Sequence, residues 1–527
     1  GHALWLSGAA ALALRLAPSK GAAFAGLLLV AALPSSYGGW QVLAYGEGFV
    51  TPRLLAEGLA LWGLWALSRG NYAFAAGLAV GSGALHPIMC LVAALVGMTF
   101  LIIRDRRWIV VAIVGALVAA AAAYLGIGPL GRLAQTMDPE WLAVVEARNT
   151  YLFQGHWRAA DWSRCAIALA LVLATAVLLT GWRRSLLLAT AVATSACLVV
   201  NYVAVDLLHN VLLIQLQLYR ALWLLNVVAY LGAGILLVRL WALREDGQSL
   251  VALLAFGGFL TFTTLPPIGA VVFAAGLALA VRRLTGRIPP LSRSLQLTCL
   301  GLAAVLAVGL LVYRVVSVWA EVWDILPVGL ASLGASVSVT VIDVAVVAVA
   351  ALLIARYWPA TARAALPALA VAMLVGSLLI WDRRDPWTRT VWEDQAAMAP
   401  AWDLPPDAEV FWENDAVNSW RLLNRPSYVS STQGAGIGFA RDTALTFRRR
   451  VDVVQPLMQT EMVEVFRKRN AQAGDLPDLD RATLAGVCAK DPALSALVLS
   501  RAVEGSYAGS WGPPVPYYST WLPTRGP

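Results

Sequence analysis

Charge is scarce in this chain. Asp, Glu, Lys and Arg make up 13% of its 527 residues, against about 25% in a soluble globular protein. Hydrophobic residues reach 59% and the mean hydropathy is +0.70. That composition excludes solubility along the whole length, and it excludes disorder. Lysine is nearly missing: only Lys20, Lys468 and Lys490 occur, so the net charge of +8 is carried by arginine. No long basic run mixes with aromatics, which argues against a nucleic-acid partner. Cysteine is limited to Cys90, Cys165, Cys197, Cys299 and Cys488. The first four fall in or beside apolar segments, and no CxxC or Cys/His metal spacing is present. Walker, GxSxG, HExxH and dinucleotide motifs are absent. So are internal repeats, a low-complexity linker and a signal-peptide pattern at the start.

What is present is a long series of apolar runs. A membrane crossing needs roughly 17–25 such residues. The runs predict about fourteen spans, with cores near 3–17, 22–34, 54–68, 72–85, 87–103, 108–127, 164–181, 185–203, 212–236, 249–264, 267–281, 295–314, 338–355 and 363–380. His86-Pro87 divides 72–103 into two helices or one broken helix. Alternation of these spans puts Arg15, Lys20, Arg69, Arg104, Arg106, Arg107, Arg183, Arg184, Arg239, Arg244, Arg282, Arg283, Arg287, Arg356 and Arg363 on one side. By the positive-inside rule that side is the cytoplasm. Loops 35–53, 128–163, 204–211 and 315–337, and everything after 381, then lie outside. Gly1 also falls outside, so one further helix is expected upstream. The fold class expected is mainly α: a polytopic helical membrane domain over 1–381. A small extracytoplasmic α/β domain over 382–527 follows it. In that domain Val410-Phe411-Trp412 and Ala496 to Leu499 read as buried strands. Thr443 to Met458 and Asp480 to Ala489 read as helices, the first interrupted near Pro456.

Four external clusters carry candidate chemistry. In Tyr45-Gly46-Glu47-Gly48-Phe49-Val50-Thr51-Pro52-Arg53, glycines flank Glu47. Glu57 lies one helical turn beyond Arg53, so the two are expected to pair at i, i+4. A carboxylate and an arginine at an interfacial cavity suit a phosphate- or hydroxyl-bearing substrate; the plainer reading is a loop with a helix-start ion pair. His86, at the helix break, is a candidate base or ligand, or else a side chain that bonds freed carbonyls. Arg148 and Arg158, with Tyr151, Trp157 and Trp162 between and beside them, read as an amphipathic helix in the membrane interface. Either arginine is a candidate contact to a lipid phosphate. Gln217, Arg220 and Trp223, spaced by three, share one face of the ninth span. An arginine there is costly unless it meets a polar cavity or a partner, and Asp206 and His209 precede it. Asp343 is the acid inside the later spans, either a relay group or half of a buried ion pair.

The layout resembles the GT-C superfamily of membrane glycosyltransferases that use polyprenyl-phosphate-linked sugars. It shares many spans, a carboxylate in an early outer loop, an interfacial helix in a later one and a C-terminal extracytoplasmic domain. The phrases Glu47 to Glu57, His86-Pro87, Arg148 to Trp162, Gln217 to Trp223 and Trp420 to Arg441 are also similar to a bacterial family of multi-span proteins with that layout, which brings no activity with it. The superfamily resemblance implies a polyprenyl-phosphate sugar donor, an acceptor at the outer face of a bacterial inner membrane, and a catalytic acid in the first outer loop. That loop would precede Gly1, so Glu47 stands as a substitute candidate. Otherwise Glu47 binds the acceptor, or the donor phosphate through a divalent metal. No other cofactor is implied; membrane lipid and envelope proteins are the expected partners. Two other classes fit the composition. A lipid or solute transporter requires pseudo-symmetric halves, and a non-catalytic scaffold subunit requires a plugged interior and an exposed apolar patch.

Overall fold

The computed structural model describes residues 1–47, 51–262, 265–302, 304–305, 392–393, 404–413, 416–457, 479–499, 503, 509–511 and 518–521. The spans expected at 338–355 and 363–380, half of 295–314, the loop 315–337, Asp343 and the turn-rich junction at 382–387 lie outside the described residues. The chain divides into two compact units. Gly1–Gly131, Gln154–Leu207 and Leu216–Trp381 form the first; Arg132–Phe153, Leu208–Gln215 and Asp382–Pro527 form the second.

The first unit is helical. It contains α1 (His2–Leu16), α2 (Lys20–Ala32), a two-stranded hairpin of β1 (Ser36–Tyr37) and β2 (Leu43–Ala44), α3 (Pro52–Ser68), α4 (Tyr72–Leu85), α5 (Pro87–Arg104) and α6 (Trp108–Tyr124). Helix starts follow local chemistry. The Ser19 hydroxyl accepts the Ala22 N–H and the Asn71 side chain accepts the Phe74 N–H, each satisfying an orphan donor of the first turn. Pro52 and Pro87 open α3 and α5, where the missing N–H costs nothing. After α7 (Pro139–Arg148), which belongs to the second unit, come α8 (Ala159–Leu178) and α9 (Gly181–Asn201). A π-helical turn over Tyr202–Leu207 extends α9. Next come α10 (Val211–Leu216), all but its last residue in the second unit, and then α11 (Leu222–Trp241), α12 (Glu245–Phe262) and α13 (Pro266–Leu284) of the first.

Among the described residues, five helical stretches are long and apolar enough to cross a membrane. They are Pro87–Arg104, Ala159–Leu178, Gly181–Leu207, Val211–Trp241 and Pro266–Leu284. A sixth counts if Trp108–Tyr124 and Gly128–Ala134, bent by 83°, are one span. The chain is therefore membrane-embedded. The first, second and fourth expected spans are the shorter apolar helices α1, α2 and α4. At about 1.5 Å per residue each falls short of a hydrocarbon core of about 30 Å.

Helix α11 is the axis of this unit, buried along most of its length. It takes α2 at van der Waals range because glycines meet: a Cβ on Gly234 would lie 2.1 Å from the Gly26 nitrogen. Small-residue crossings of this kind let membrane helices pack backbone to backbone.

In the second unit, Gln135 and Met137 pair with 209–211: the Val211 N–H reaches the Gln135 carbonyl at 3.0 Å and the Met137 N–H the His209 carbonyl at 2.9 Å. Beyond them lie β3 (Glu409–Trp412), α14 (Ala416–Leu422), α15 (Arg441–Val454), α16 (Arg481–Lys490), β4 (Leu494–Leu499), β5 (Gly509–Trp511) and β6 (Tyr518–Trp521). The sheet order is β3-β4-β6-β5, with β3 parallel to β4 and the other pairs antiparallel. Val410, Trp412, Ala496 and Val498 form its core with Leu404, Ala408 and Leu422. The 3-10 turn at Gln455–Leu457 ends the helix where Pro456 intervenes. The stretch from Arg148 to Trp162, expected as one interfacial helix, instead ends α7 and makes 3-10 turns at Thr150–Leu152 and Gln154–His156 before α8 starts at Ala159. Helix α7 itself packs within its unit. Its Trp141, Val144 and Val145 are buried, and the Trp141 indole donates to the Ile437 carbonyl at 2.9 Å. Its apolar face is used inside the unit rather than on a membrane surface.

Two predictions follow from this packing. Gly234→Leu forces α2 off α11, so it should destabilise the detergent-solubilised protein by about 1–3 kcal/mol in thermal unfolding. In the second unit, the Arg441 guanidinium and the Trp141 N–H hold the Asp138 carboxyl below the usual carboxylate range. A depressed carboxyl stabilises the fold above its unfolded pKa and loses that contribution as pH falls through the lower native value. The protection factor of the Trp141 amide against hydrogen exchange, corrected for the intrinsic rate at each pH, should therefore fall on acidification, and Arg441→Ala should shift that fall to higher pH.

Candidate functional site

The candidate site is built in the first unit from a hairpin, two helix starts and a helix break. The hairpin pairs Ser36 with Ala44 and Tyr37 with Leu43. Its loop is tightly bent: Trp40 and Gln41 both have left-handed φ, at 58° and 56°. Gly39 permits the loop to touch the Trp157 indole, since a Cβ there would lie 2.3 Å from Nε1. Asp161 fixes the same loop by accepting the Trp40 N–H at 3.0 Å and the Gln41 amide at 3.1 Å.

Glu47 and Arg53 meet at 2.8 Å, and the Thr51 hydroxyl donates to the other Glu47 oxygen at 3.0 Å. A cation in the first turn of α3 opposes the helix dipole, and the Glu47 carboxylate offsets that cost. This replaces the expected Arg53–Glu57 pair. Glu57, buried at 1% exposure, instead accepts the Trp5 indole N–H at 2.8 Å and the Gly46 N–H at 3.3 Å. Trp5 in turn stacks on Tyr45, with centroids 5.6 Å apart. The i, i+4 spacing was available, but α3 begins only at Pro52, and the loop before it brings a second carboxylate within reach of Arg53 first.

The ninth span is broken where the sequence pattern is continuous. Gln217 adopts a left-handed φ of 49°, a 3-10 turn covers Leu218–Ala221, and α11 starts at Leu222. Arg220 therefore sits on a turn rather than along a continuous helix. Its Nε donates to the Gln217 Oε1 at 2.8 Å, and the Tyr219 hydroxyl donates to the same oxygen at 3.2 Å. Asp206, a candidate counter-ion from the sequence, accepts the Gln154 and Gly155 amides at 3.1 and 2.6 Å.

These groups converge. Tyr37 feels Arg220, Glu57, Arg53 and Glu47, and His86 feels Arg220 and Arg53. Burial pushes the Tyr37 phenol far above its ordinary value, against the pull of Arg220, so it is a neutral O–H donor at physiological pH. Four buried polar atoms in this region have no hydrogen-bond partner among the described residues: Tyr37 OH, His86 Nδ1, Arg220 Nη1 and Trp223 Nε1. Buried polar atoms are normally paired, so a group of orphans marks a place for a ligand or water. Chemically the arrangement offers a guanidinium and neutral donors for an anion, beside two carboxylates. Among the described residues no group of three or more His, Cys, Asp and Glu is gathered for a metal.

The structure thus brings together Glu47, Arg53, Glu57, His86 and Arg220, with Gln217 attached through Arg220 and Trp223 one turn along. Two further candidates are engaged by other partners. Arg148 is buried in the second unit, bonded to the Ser431 carbonyl and, at 3.3 Å, to the Asn149 side chain. Arg158 caps α8 and clasps Asp161, with its guanidinium 4.8 Å over the Trp40 ring. Tyr37, Trp5 and Asp161 take roles that the sequence alone does not assign. Asp161 had a local signal, an acid three residues into a helix start. Tyr37 and Trp5 had none, because their partners lie distant in the chain.

No family model matches this chain, and neither a curated protein nor a solved structure matches it.

The Trp5–Glu57 contact is testable by a double-mutant cycle. Trp5→Phe removes one donor from a buried carboxylate and should cost about 1–3 kcal/mol in thermal unfolding. The same change in a Glu57→Leu background should cost clearly less, because the acceptor is then gone.

Proposed function

We propose that the chain is a membrane glycosyltransferase-like protein. It moves a sugar from a polyprenyl-phosphate donor to an acceptor at the outer face of a bacterial inner membrane. The observation that carries this reading is Arg220 Nη1, a buried guanidinium N–H with no hydrogen-bond partner among the described residues, close enough to the Tyr37 phenol to act on it. A charged donor held in that way suits a phosphate, the strongest complement to a guanidinium. In the full reading the fourteen spans alternate, and the residues after 381 lie outside the cytoplasm.

In this account an acceptor hydroxyl attacks the anomeric carbon and the bond from that carbon to the phosphate oxygen breaks. The phosphate leaves with the electron pair. Arg220 meets the charge that develops on it, with Tyr37 and Trp223 as neutral donors. Glu47 takes the proton from the acceptor hydroxyl, and Arg53 and Thr51 hold its two oxygens in place. Glu57 acts through the loop: it binds the Gly46 N–H and so positions the neighbouring Glu47. A single displacement inverts the anomeric configuration.

The test uses farnesyl phosphate as a short donor mimic. The wild-type protein in nanodiscs should bind it, and Arg220→Gln should weaken binding roughly ten-fold to a hundred-fold, as for loss of a charge-assisted hydrogen bond. Glu47→Gln should leave that affinity within about two-fold. Equal affinity in wild type and Arg220→Gln would contradict the proposal.

A further inference from the structure

A second cation in the first unit has no counter-ion of its own among the described residues, and it lies well apart in sequence from Arg220. Arg164 is in the second turn of α8. Its guanidinium rests 5.0 Å over the Phe262 ring at the end of α12. Its Nε is buried and has no hydrogen-bond partner among the described residues. The nearest acid along the helix is Asp161, three residues earlier. That carboxylate is already saturated. It accepts the Trp40 N–H, the Gln41 amide, the Arg158 N–H and two bonds from the Arg158 guanidinium. A carboxylate has about four lone-pair sites, so nothing remains for Arg164. Two guanidiniums thus share one acid, leaving one net positive charge. The Tyr230 hydroxyl, also near Arg164, donates to the Pro34 carbonyl at 3.1 Å.

The surroundings specify what answers this charge. Helix α8 is one of the stretches apolar and long enough to cross a bilayer, and Arg164 lies at the end away from Arg183 and Arg184. Trp157 and Trp162 pack 5.2 Å apart at that end, with Trp162 41% exposed. Tryptophans gather at headgroup depth, where the ring is apolar and its N–H wet. Leu265, three residues beyond Phe262, is exposed, as are Ile268 and Val271 on α13, the helix packed on α8 and α12. Exposed apolar side chains on a spanning helix are where acyl chains lie. Head-level charge and tail-level apolar surface therefore occur on adjoining elements.

We propose that Arg164, with Arg158 beside it, holds the phosphate of an anionic membrane phospholipid. The acyl chains of that lipid cover Leu265, Ile268 and Val271. The assignment does not depend on the reaction proposed for Arg220. A cation over an aromatic ring at a membrane boundary is stabilised by the ring face but still requires an anion once it is out of bulk water. A phosphodiester supplies oxygens that a guanidinium fork matches.

The test compares the full chain in nanodiscs of phosphatidylcholine alone with nanodiscs that also contain phosphatidylglycerol. Native mass spectrometry reads retained lipid and thermal unfolding reads stability. Wild type should retain phosphatidylglycerol and unfold at a higher temperature with it. Arg164→Gln should lose roughly ten-fold in apparent affinity for that lipid, and Arg164→Lys should retain part of it, because the charge remains while the fork is lost. Arg164→Lys keeps the result interpretable if Arg164→Gln fails to fold. No preference for phosphatidylglycerol in wild type, or equal retention by the variants that fold, overturns the proposal. Equal stabilisation by inorganic phosphate added to phosphatidylcholine nanodiscs also overturns it, since the site would then take a soluble anion. Displacement of the retained lipid by farnesyl phosphate in wild type and Arg220→Gln alike would assign the site to a lipid donor and overturn it too.

Discussion

A guanidinium inside a membrane-embedded bundle needs an acceptor, and among the described residues Arg220 finds one side-chain acceptor, Gln217. That bond runs across a backbone break. Gln217 holds a left-handed conformation that costs about 1–3 kcal/mol for a residue with a side chain, and its Oε1 accepts both Arg220 and Tyr219. The strained residue and the half-satisfied cation explain one another. If the helix ran on through Gln217 and Arg220, the guanidinium would lie along a helix flank rather than on the turn ahead of α11. The break turns it toward Tyr37 and His86 instead.

The carboxylates are arranged so that neither neutralises Arg220. Arg53 occupies Glu47, and two neutral N–H groups occupy Glu57. Asp206 is held by backbone amides at 154 and 155. Each of these three acids thus has its own donors, and among the described residues Arg220 is left with an open N–H. A structural ion pair would have been the cheaper solution in stability terms, since an unpaired buried charge costs several kcal/mol. Sites that depart from the most stable arrangement are where binding is to be sought. The same pattern, one acid saturated and one cation left over, recurs at Asp161 and Arg164.

Much of this was legible in the sequence, and the limits have physical causes. Helical class, the break at His86-Pro87, the strands around Val410 to Trp412 and Ala496 to Leu499, and the interest of Glu47, Arg53 and Arg220 all follow from hydropathy, turn residues and the cost of charge in apolar segments. Pairing did not follow. The i, i+4 rule joined Arg53 to Glu57, yet a loop carboxylate won because the helix starts one residue before Arg53. Spacing by three placed Gln217, Arg220 and Trp223 on one face, yet a left-handed residue at Gln217 breaks that face. Arg148 read as an interfacial contact, but its place in the second unit depends on Ser431, nearly three hundred residues later. Tyr37 was invisible for the same reason: its importance comes from Arg220, which is distant in the chain.

The central claim is that the open N–H of Arg220 receives an anionic ligand group. A cryo-EM map of the protein in nanodiscs, with native lipid retained, tests this most directly. The account predicts density for a phosphate against Arg220 Nη1, within reach of Tyr37 and Trp223, with an elongated tail leading away. A map in which a protein carboxylate closes on Arg220 and no ligand density lies beside it would contradict the account.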